Sequence, residues 1–263
     1  MILYFSATGN SLAVARAIAD RTHDALCDMG AATKSGSFEV TAHQGESLGI
    51  VFPANRWTTP PLVDAFVRKV RFMTDDGAPF RPGYCYTVET YAYFRGRESR
   101  YLAKVLEEVH GIDADASFAV KTVGNFLCAF HAMDENAIAK RLGQAEAAQD
   151  EVARRVADED RDARVGAGLL GFLIGLATSR RHKGRSAGLY RVDAGACVGC
   201  GTCARTCPEN VIELVDGHPA WTGADCTGCF ACYHCCPQHA IGLGAFKKGT
   251  RYQNPVLKKA ARG

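Results

Sequence analysis

Eight cysteines near the C-terminus fall into two copies of a single pattern, and this repeat constrains the chain more than any other feature. Cys197-x2-Cys200-x2-Cys203-x3-Cys207-Pro208 recurs as Cys226-x2-Cys229-x2-Cys232-x3-Cys236-Pro237, each position displaced by 29 residues. Three thiolates on a tight loop can reach three irons of one cubane, and the x3-Cys-Pro step carries a fourth thiolate away from that loop. Pro208 and Pro237 end the loops because proline fixes φ and donates no backbone hydrogen bond. Gly199, Gly201 and Gly228 let the backbone come close to inorganic sulfide. Structural zinc sites pair two CxxC units across a dozen or more residues, which two compact four-cysteine runs fit poorly. Cys235 offers a competing CxxC frame with Cys232, but the 29-residue offset and Pro237 both select Cys236. Cys235 then reads as a packed neighbour of the cluster, and His234 and His239 as surface or hydrogen-bonding residues.

Residues 191–245 resemble the bacterial two-cluster ferredoxins. The resemblance implies a small duplicated βαβ fold, with short strands at Val211–Leu214 and Ala240–Leu243. It also implies crossed ligation, in which the fourth cysteine of each run serves the other cluster. Cys197, Cys200, Cys203 and Cys236 would hold one [4Fe–4S] cluster; Cys226, Cys229, Cys232 and Cys207 would hold the second. Carriers of this kind work at low potential in anaerobic metabolism.

The N-terminal residues alternate between strand and helix patterns. Strands read at Met1–Phe5, Ser47–Pro53, Tyr84–Thr90 and Ala116–Val123, and helices at Ser11–Arg21, Pro61–Phe72, Glu98–His110 and Glu135–Asp158. This alternation predicts a parallel, doubly wound α/β sheet with helices on both faces. Ligands of such sheets bind beyond the carboxyl ends of the strands, at the switch point. The loops Ser6–Ser11 and Pro53–Thr59 would meet there. Ser6, Thr8, Gly9, Asn10 and Ser11 combine hydroxyls, a glycine and a helix start, which together suit a phosphate. No GxxxxGK[ST] occurs, and a single glycine does not make the dinucleotide fingerprint. Serine and asparagine at a helix start also act simply as caps.

Ser6-x-Thr8-Gly9-Asn10-Ser11 is similar to the FMN phosphate loop of flavodoxin. The whole chain resembles a family of flavodoxin–ferredoxin fusion proteins. The likeness runs from Ile2–Ser6 through Val51-Phe52-Pro53 and the cysteine repeat to Arg251-Tyr252-Gln253-Asn254-Pro255. It implies a five-stranded flavodoxin-like sheet that binds FMN through that loop, Pro53, Ala54, Asn55, Thr90, and the aromatic residues Trp57, Tyr91 and Tyr93. The Thr90–Gly96 loop departs from the family in being bulkier and more basic. Arg56, Arg95 and Arg97 either bring positive charge to the flavin or are solvated.

The expected division is 1–164 for the flavin domain, 165–190 for an apolar helix and basic linker, 191–245 for the ferredoxin domain, and 246–263 for a basic tail. The 15-residue apolar run 165–179 is short of the roughly 20 residues a spanning helix needs. It reads as a helix docked on one or both domains, with membrane-surface attachment through Arg180–Arg185 as the alternative. Lys247, Lys248, Arg251, Lys258, Lys259 and Arg262 read as a solvated tail. A net charge of only +3 does not point to nucleic acid. The opening strand, with no basic leader before it, points to a reducing cytoplasm. Redox protein partners follow from these cofactors, whereas oligomeric state cannot be read. The primary expectation is an electron carrier joining the clusters to FMN. The alternative is a flavin-dependent reductase of a small molecule or protein-bound cofactor, fed by the clusters, with Tyr91, Cys128 or His131 as conceivable proton donors. No catalytic residue stands out and no nicotinamide site is visible.

Overall fold

The computed structural model describes residues 1–55, 58–125, 133–166, 187–222, 225–244 and 250–260. Trp57, Arg56, Cys128, His131, residues 167–186, and Lys247, Lys248 and Arg262 of the tail lie outside the described residues.

In chain order the N-terminal region contains β1 (Ile2–Tyr4), α1 (Asn10–Thr22), β2 (Leu26–Asp28), α2 (Met29–Ser35), β3 (Glu39–Thr41) and β4 (Leu48–Pro53). It continues with α3 (Pro61–Lys69), β5 (Arg71–Met73), β6 (Cys85–Tyr91), α4 (Glu98–His110), β7 (Ala116–Lys121) and α5 (Glu135–Ala157). Five strands form one parallel sheet in the order β2-β1-β4-β6-β7. The chain leaves β1 toward β2 and later returns on β1's other side as β4. The carboxyl ends of β1 and β4 therefore flank the switch point.

Strand alternation divides the apolar residues between two cores. Leu3, Ile50 and Phe52 pack with Leu62, Phe66 and Leu102 on the α3–α4 face. Ile2, Val51 and Val88 pack with Val14, Ile18 and Val152 on the α1–α5 face. This is the flavodoxin-like sheet expected. The helix read over Pro61–Phe72 ends at Lys69, because residues 71–73 leave it to pair with β3 as a separate parallel ribbon. β2 was not read from sequence: it has three residues, too few to show a period.

The smaller C-terminal region holds β8 (Tyr190–Val192), α6 (Thr202–Thr206), β9 (Ile212–Val215), β10 (His218–Trp221), α7 (Ala231–Cys235), β11 (Ile241–Leu243) and α8 (Pro255–Ala260). β8 pairs with β11 and β9 with β10, both antiparallel. The β9–β10 hairpin turns at Asp216-Gly217, where both residues have positive φ, as an Asp-Gly type I′ turn requires. The cysteine duplication extends to the backbone. Left-handed residues recur 29 positions apart as Gly199 and Gly228, Gly201 and Phe230, and Asn210 and His239. A Cβ on Gly199 would sit 2.8 Å from Gly217 O, so that turn has no room for a side chain.

The tail departs from the solvated reading. Tyr252 and Asn254 are buried, and Arg251 donates to the carbonyls of Tyr233, His239 and Ile241. A count of charges misses the apolar and amide groups lying between them. Tyr252 OH donates to Asn10 Oδ1 over 2.6 Å, tying the tail to the first loop of the chain. Tyr252→Phe is expected to lower stability by about 1–2 kcal/mol, as a buried hydrogen bond lost at one partner does. Denaturant midpoints with an unchanged slope are the check; an unshifted midpoint would show that the bond contributes nothing net.

Candidate functional site: two cysteine groups against the switch-point loops

The cysteines gather into two sets. A small pocket is lined by Cys197, Cys200, Cys203 and Cys236, with Pro237 beside them. Three of these come from the first run and one from the second, because α6 and α7 pack the two halves of the repeat together. Cys207, the fourth cysteine of the first run, lies among Cys226, Cys229 and Cys232. Burial, followed by the mutual repulsion of these groups, pushes the thiols of Cys229 and Cys232 upward. Bound iron would offset both costs, since coordination deprotonates a thiol outright. Backbone N–H groups already point at sulfur, from Gly228 to Cys226 Sγ at 3.4 Å and from Ala240 to Cys236 Sγ at 3.3 Å.

Among the described residues, no three Cys, His, Asp or Glu side chains converge closely enough to ligate a single ion. A cubane asks for a wider arrangement, because each thiolate takes its own iron. Each cysteine set fits such a group in donor type and number. Cys235 turns elsewhere and accepts from Gln253 Nε2 at 2.9 Å. The two sets differ in exposure. Cys200 is exposed, and Val198 and Leu214 beside the first set are 65% and 43% exposed. The second set faces inward, and Cys229 packs against the α3–α4 core of the N-terminal sheet.

The switch-point loops hold that second set. Asn55 Nδ2, after β4, donates to Thr227 O at 2.8 Å, and Thr227 Oγ1 accepts from Leu62 N at 3.2 Å. Asn125 Nδ2, after β7, donates to Cys229 O at 3.2 Å. His234 Nε2 lies 2.6 Å from Asn125 O, and its Nδ1 accepts from Tyr252 N at 3.1 Å. The second nitrogen must be bare to accept, so the ring is neutral with its proton on Nε2. Burial depresses His234 to about 4, in keeping with that tautomer. Asn125 and Thr227 carried no sequence signal, because the bonds that join them across the two regions each span more than a hundred residues.

The phosphate-loop candidates occupy the carboxyl end of β1. Helix α1 starts at Asn10, so the N–H groups of its first turn have no acceptor within the helix. That backbone suits an anion. The side chains serve the loop itself. Ser11 Oγ lies 2.9 Å from Thr90 Oγ1, Asn10 Nδ2 donates to Val123 O at 2.8 Å, and Asn10 Oδ1 accepts from Tyr252 and Asn254. Thr8 is buried and its carbonyl accepts from Asn254 N at 2.8 Å, while Ser6 remains half-buried. Gly9 has φ +91°, which only glycine adopts readily.

Pro53 lies opposite Thr90 in the sheet, and Ala54 N donates to Thr90 O. These residues, Asn55 and Ser11 are thus brought together. Of the proposed stacking aromatics, Tyr91 is half-buried with Arg95 5.3 Å from its ring centroid, and Tyr93 is 48% exposed. The residues present fit a flavin phosphate at the backbone of the loop, with the side chains of Asn10 and Ser11 as its scaffold.

Residues 196–241 match the 4Fe-4S dicluster domain family. No curated protein matches the chain. Among solved structures, the chain is similar to a putative flavoprotein from Bacteroides uniformis ATCC 8492, at 13% identity and a TM-score of 0.32 over 53% of this chain and 95% of that one. It is also similar to azoreductase AzrA, at 11% identity and a TM-score of 0.35 over 60% and 99% of the two chains. An azoreductase from Bacillus anthracis str. Sterne gives 13% identity and a TM-score of 0.34 over 60% and 98%. The strand order β2-β1-β4-β6-β7 gives the N-terminal region its flavodoxin-like fold, and the family match marks the C-terminal region as an iron–sulfur domain. Among the described residues, no helix is long and apolar enough to cross a membrane.

Proposed function

We propose that the chain is an iron–sulfur flavoprotein of the flavodoxin–ferredoxin fusion kind, in which two [4Fe–4S] clusters feed a flavin-dependent reductase site at the switch point. The proposed divisions are 1–164, 165–190, 191–245 and 246–263. When bound, the clusters supply single-electron transfer and the flavin couples it to one- or two-electron chemistry. One observation carries the reading: Cys229 packs on the core of the sheet, with its own carbonyl and that of Thr227 held by Asn125 and Asn55. These amides fix the second cysteine set against the loops that would hold the flavin. The half-exposed Tyr91 and Tyr93 leave that edge open to a substrate.

The chain's own residues have separable tasks. Cys197, Cys200, Cys203 and Cys236 would hold the outer cluster, and Cys207, Cys226, Cys229 and Cys232 the inner one. The loop backbone from Ser6 to Ser11 would bind the phosphate, and Tyr91 and Arg95 would flank the reacting edge. The test supplies electrons from an enzymatically reduced ferredoxin to anaerobic protein, with a quinone, an azo dye or a disulfide as acceptor. Saturable turnover that disappears in Cys207→Ser is expected. Absence of turnover with every small acceptor, together with rapid exchange with redox proteins, would favour the second reading, a pure carrier. That reading rests on the exposure of Cys200 and Val198, which makes the outer set accessible to a protein partner.

A further inference from the structure

Two carboxylates lie buried at the carboxyl edge of the sheet and have no part in the assignments above. Glu89 on β6 is 1% exposed and Glu98, opening α4, is 0% exposed. Glu89 Oε2 accepts from Ser99 Oγ at 2.8 Å, and Glu98 Oε2 accepts from Gly96 N at 2.7 Å. Among the described residues, the other oxygen of each carboxyl, Oε1, is enclosed without a hydrogen-bond partner. Among the described residues neither group makes an ion pair, and Arg95 is the charged side chain whose field reaches both. An ionised carboxylate in such a place is expensive, and two are more so. A proton satisfies an orphaned oxygen and removes a charge in one step.

The pair is joined to the proposed redox site through its neighbours. Thr90, next to Glu89, meets Ser11 of the phosphate loop, and Glu98 O accepts from Thr59 Oγ1 at 3.1 Å. Thr59 closes the loop whose Asn55 holds Thr227.

We propose that Glu89 and Glu98 form a proton-holding pair, taking a proton from water when the redox groups at this edge gain an electron and returning it on oxidation. The electron comes from a low-potential donor such as dithionite. One carboxyl O–H bond forms, the proton is drawn from bulk water, and the net charge of the protein is unchanged. The inference rests on the proposed function for the source of the electron. The proton affinity is a property of the chain itself. Burial, then the charge of Glu89, pushes Glu98 up to about 7, and burial raises Glu89 as well.

Two measurements on the full-length, cofactor-loaded protein test the pair. Infrared difference spectra between oxidised and dithionite-reduced protein at neutral pH should show a protonated-carboxyl C=O band gained on reduction. The band should shift in D2O and vanish in both Glu89→Gln and Glu98→Gln. Unfolding midpoints against pH give a readout that does not depend on cofactors. An acid whose folded affinity is raised gives stability that is complete below its ordinary value of 4.5 and is lost as pH rises to about 7. The midpoint of Glu98→Gln should therefore rise relative to wild type across that window, and Glu89→Gln should flatten the same slope. Loaded, reducible protein with no carboxyl band overturns the inference and leaves the proposed function standing. Protein without flavin or clusters overturns the function instead, and a wild-type slope matching both variants then overturns the pair as well.

Discussion

Cys236→Ser is expected to destroy the cluster whose other ligands are Cys197, Cys200 and Cys203, and to leave the cluster on its own run intact. Iron should fall from about eight to about four per chain, as loss of one of two cubanes requires. The geometric basis is the cavity that gathers Cys236 with the first run, while Cys207 lies among the thiols of the second. Combining variants decides which cluster was lost. If Cys236 and Cys197 serve one cluster, the double variant retains as much iron as either single variant. If Cys236 and Cys226 serve different clusters, their double variant retains almost none. Such non-additivity is the mark of residues acting as one unit. The opposite pattern, with Cys236 and Cys226 redundant, would refute the crossed ligation. Cys235→Ser provides the control and should keep full iron, since its sulfur is engaged by Gln253.

The second large effect is expected at Gly9. An alanine there must adopt φ near +91°, and its Cβ would lie 2.8 Å from Asn254 Cβ and 2.9 Å from Leu257 Cγ. The left-handed conformation costs a non-glycine residue about 1–2 kcal/mol, and overpacking adds roughly 1–3. Together they should lower Tm by roughly 5–12 °C in a protein of this size. Flavin content should fall with it, because the same displacement disturbs the loop backbone. Gly36→Ala separates the two contributions: its φ is +72°, yet nothing lies within 4 Å of the added carbon. It should show only the smaller, conformational loss. Adding Leu257→Ala to Gly9→Ala should recover part of the packing loss. If Gly9→Ala and Gly36→Ala were equally mild, the tail would not be seated on the loop.

Which features could be read from sequence depended on whether their signal was local. The cysteine spacing carries its own period, so the domain it builds was visible at once, down to the strands following each Cys-Pro. β4 is an apolar run and β6 a run of aromatic and β-branched residues around Glu89, and both appear close to the bounds read for them. β2 and β10 are short, and their pairing partners rather than their composition make them strands. Asn10 was legible as a loop residue, but its bonds to Tyr252 and Asn254 span more than 240 residues and have no sequence signature. For the same reason the tail read as solvated. Its lysines and arginines are conspicuous in a string, whereas the burial of Tyr252 depends on a groove made elsewhere. Glu89 and Glu98 were illegible because they are ordinary in sequence: one sits in a strand and the other in a helical first turn. Their interest arises only from burial without ion-pair partners.

The most direct test of the whole account is the iron, acid-labile sulfide and flavin content of anaerobically purified full-length protein, taken with its visible spectrum. Two cubanes and one flavin predict about eight iron, eight sulfide and one FMN per chain. Full iron without flavin would contradict the flavin site at the switch point, and four iron or fewer would contradict the pairing of the cysteines into two clusters.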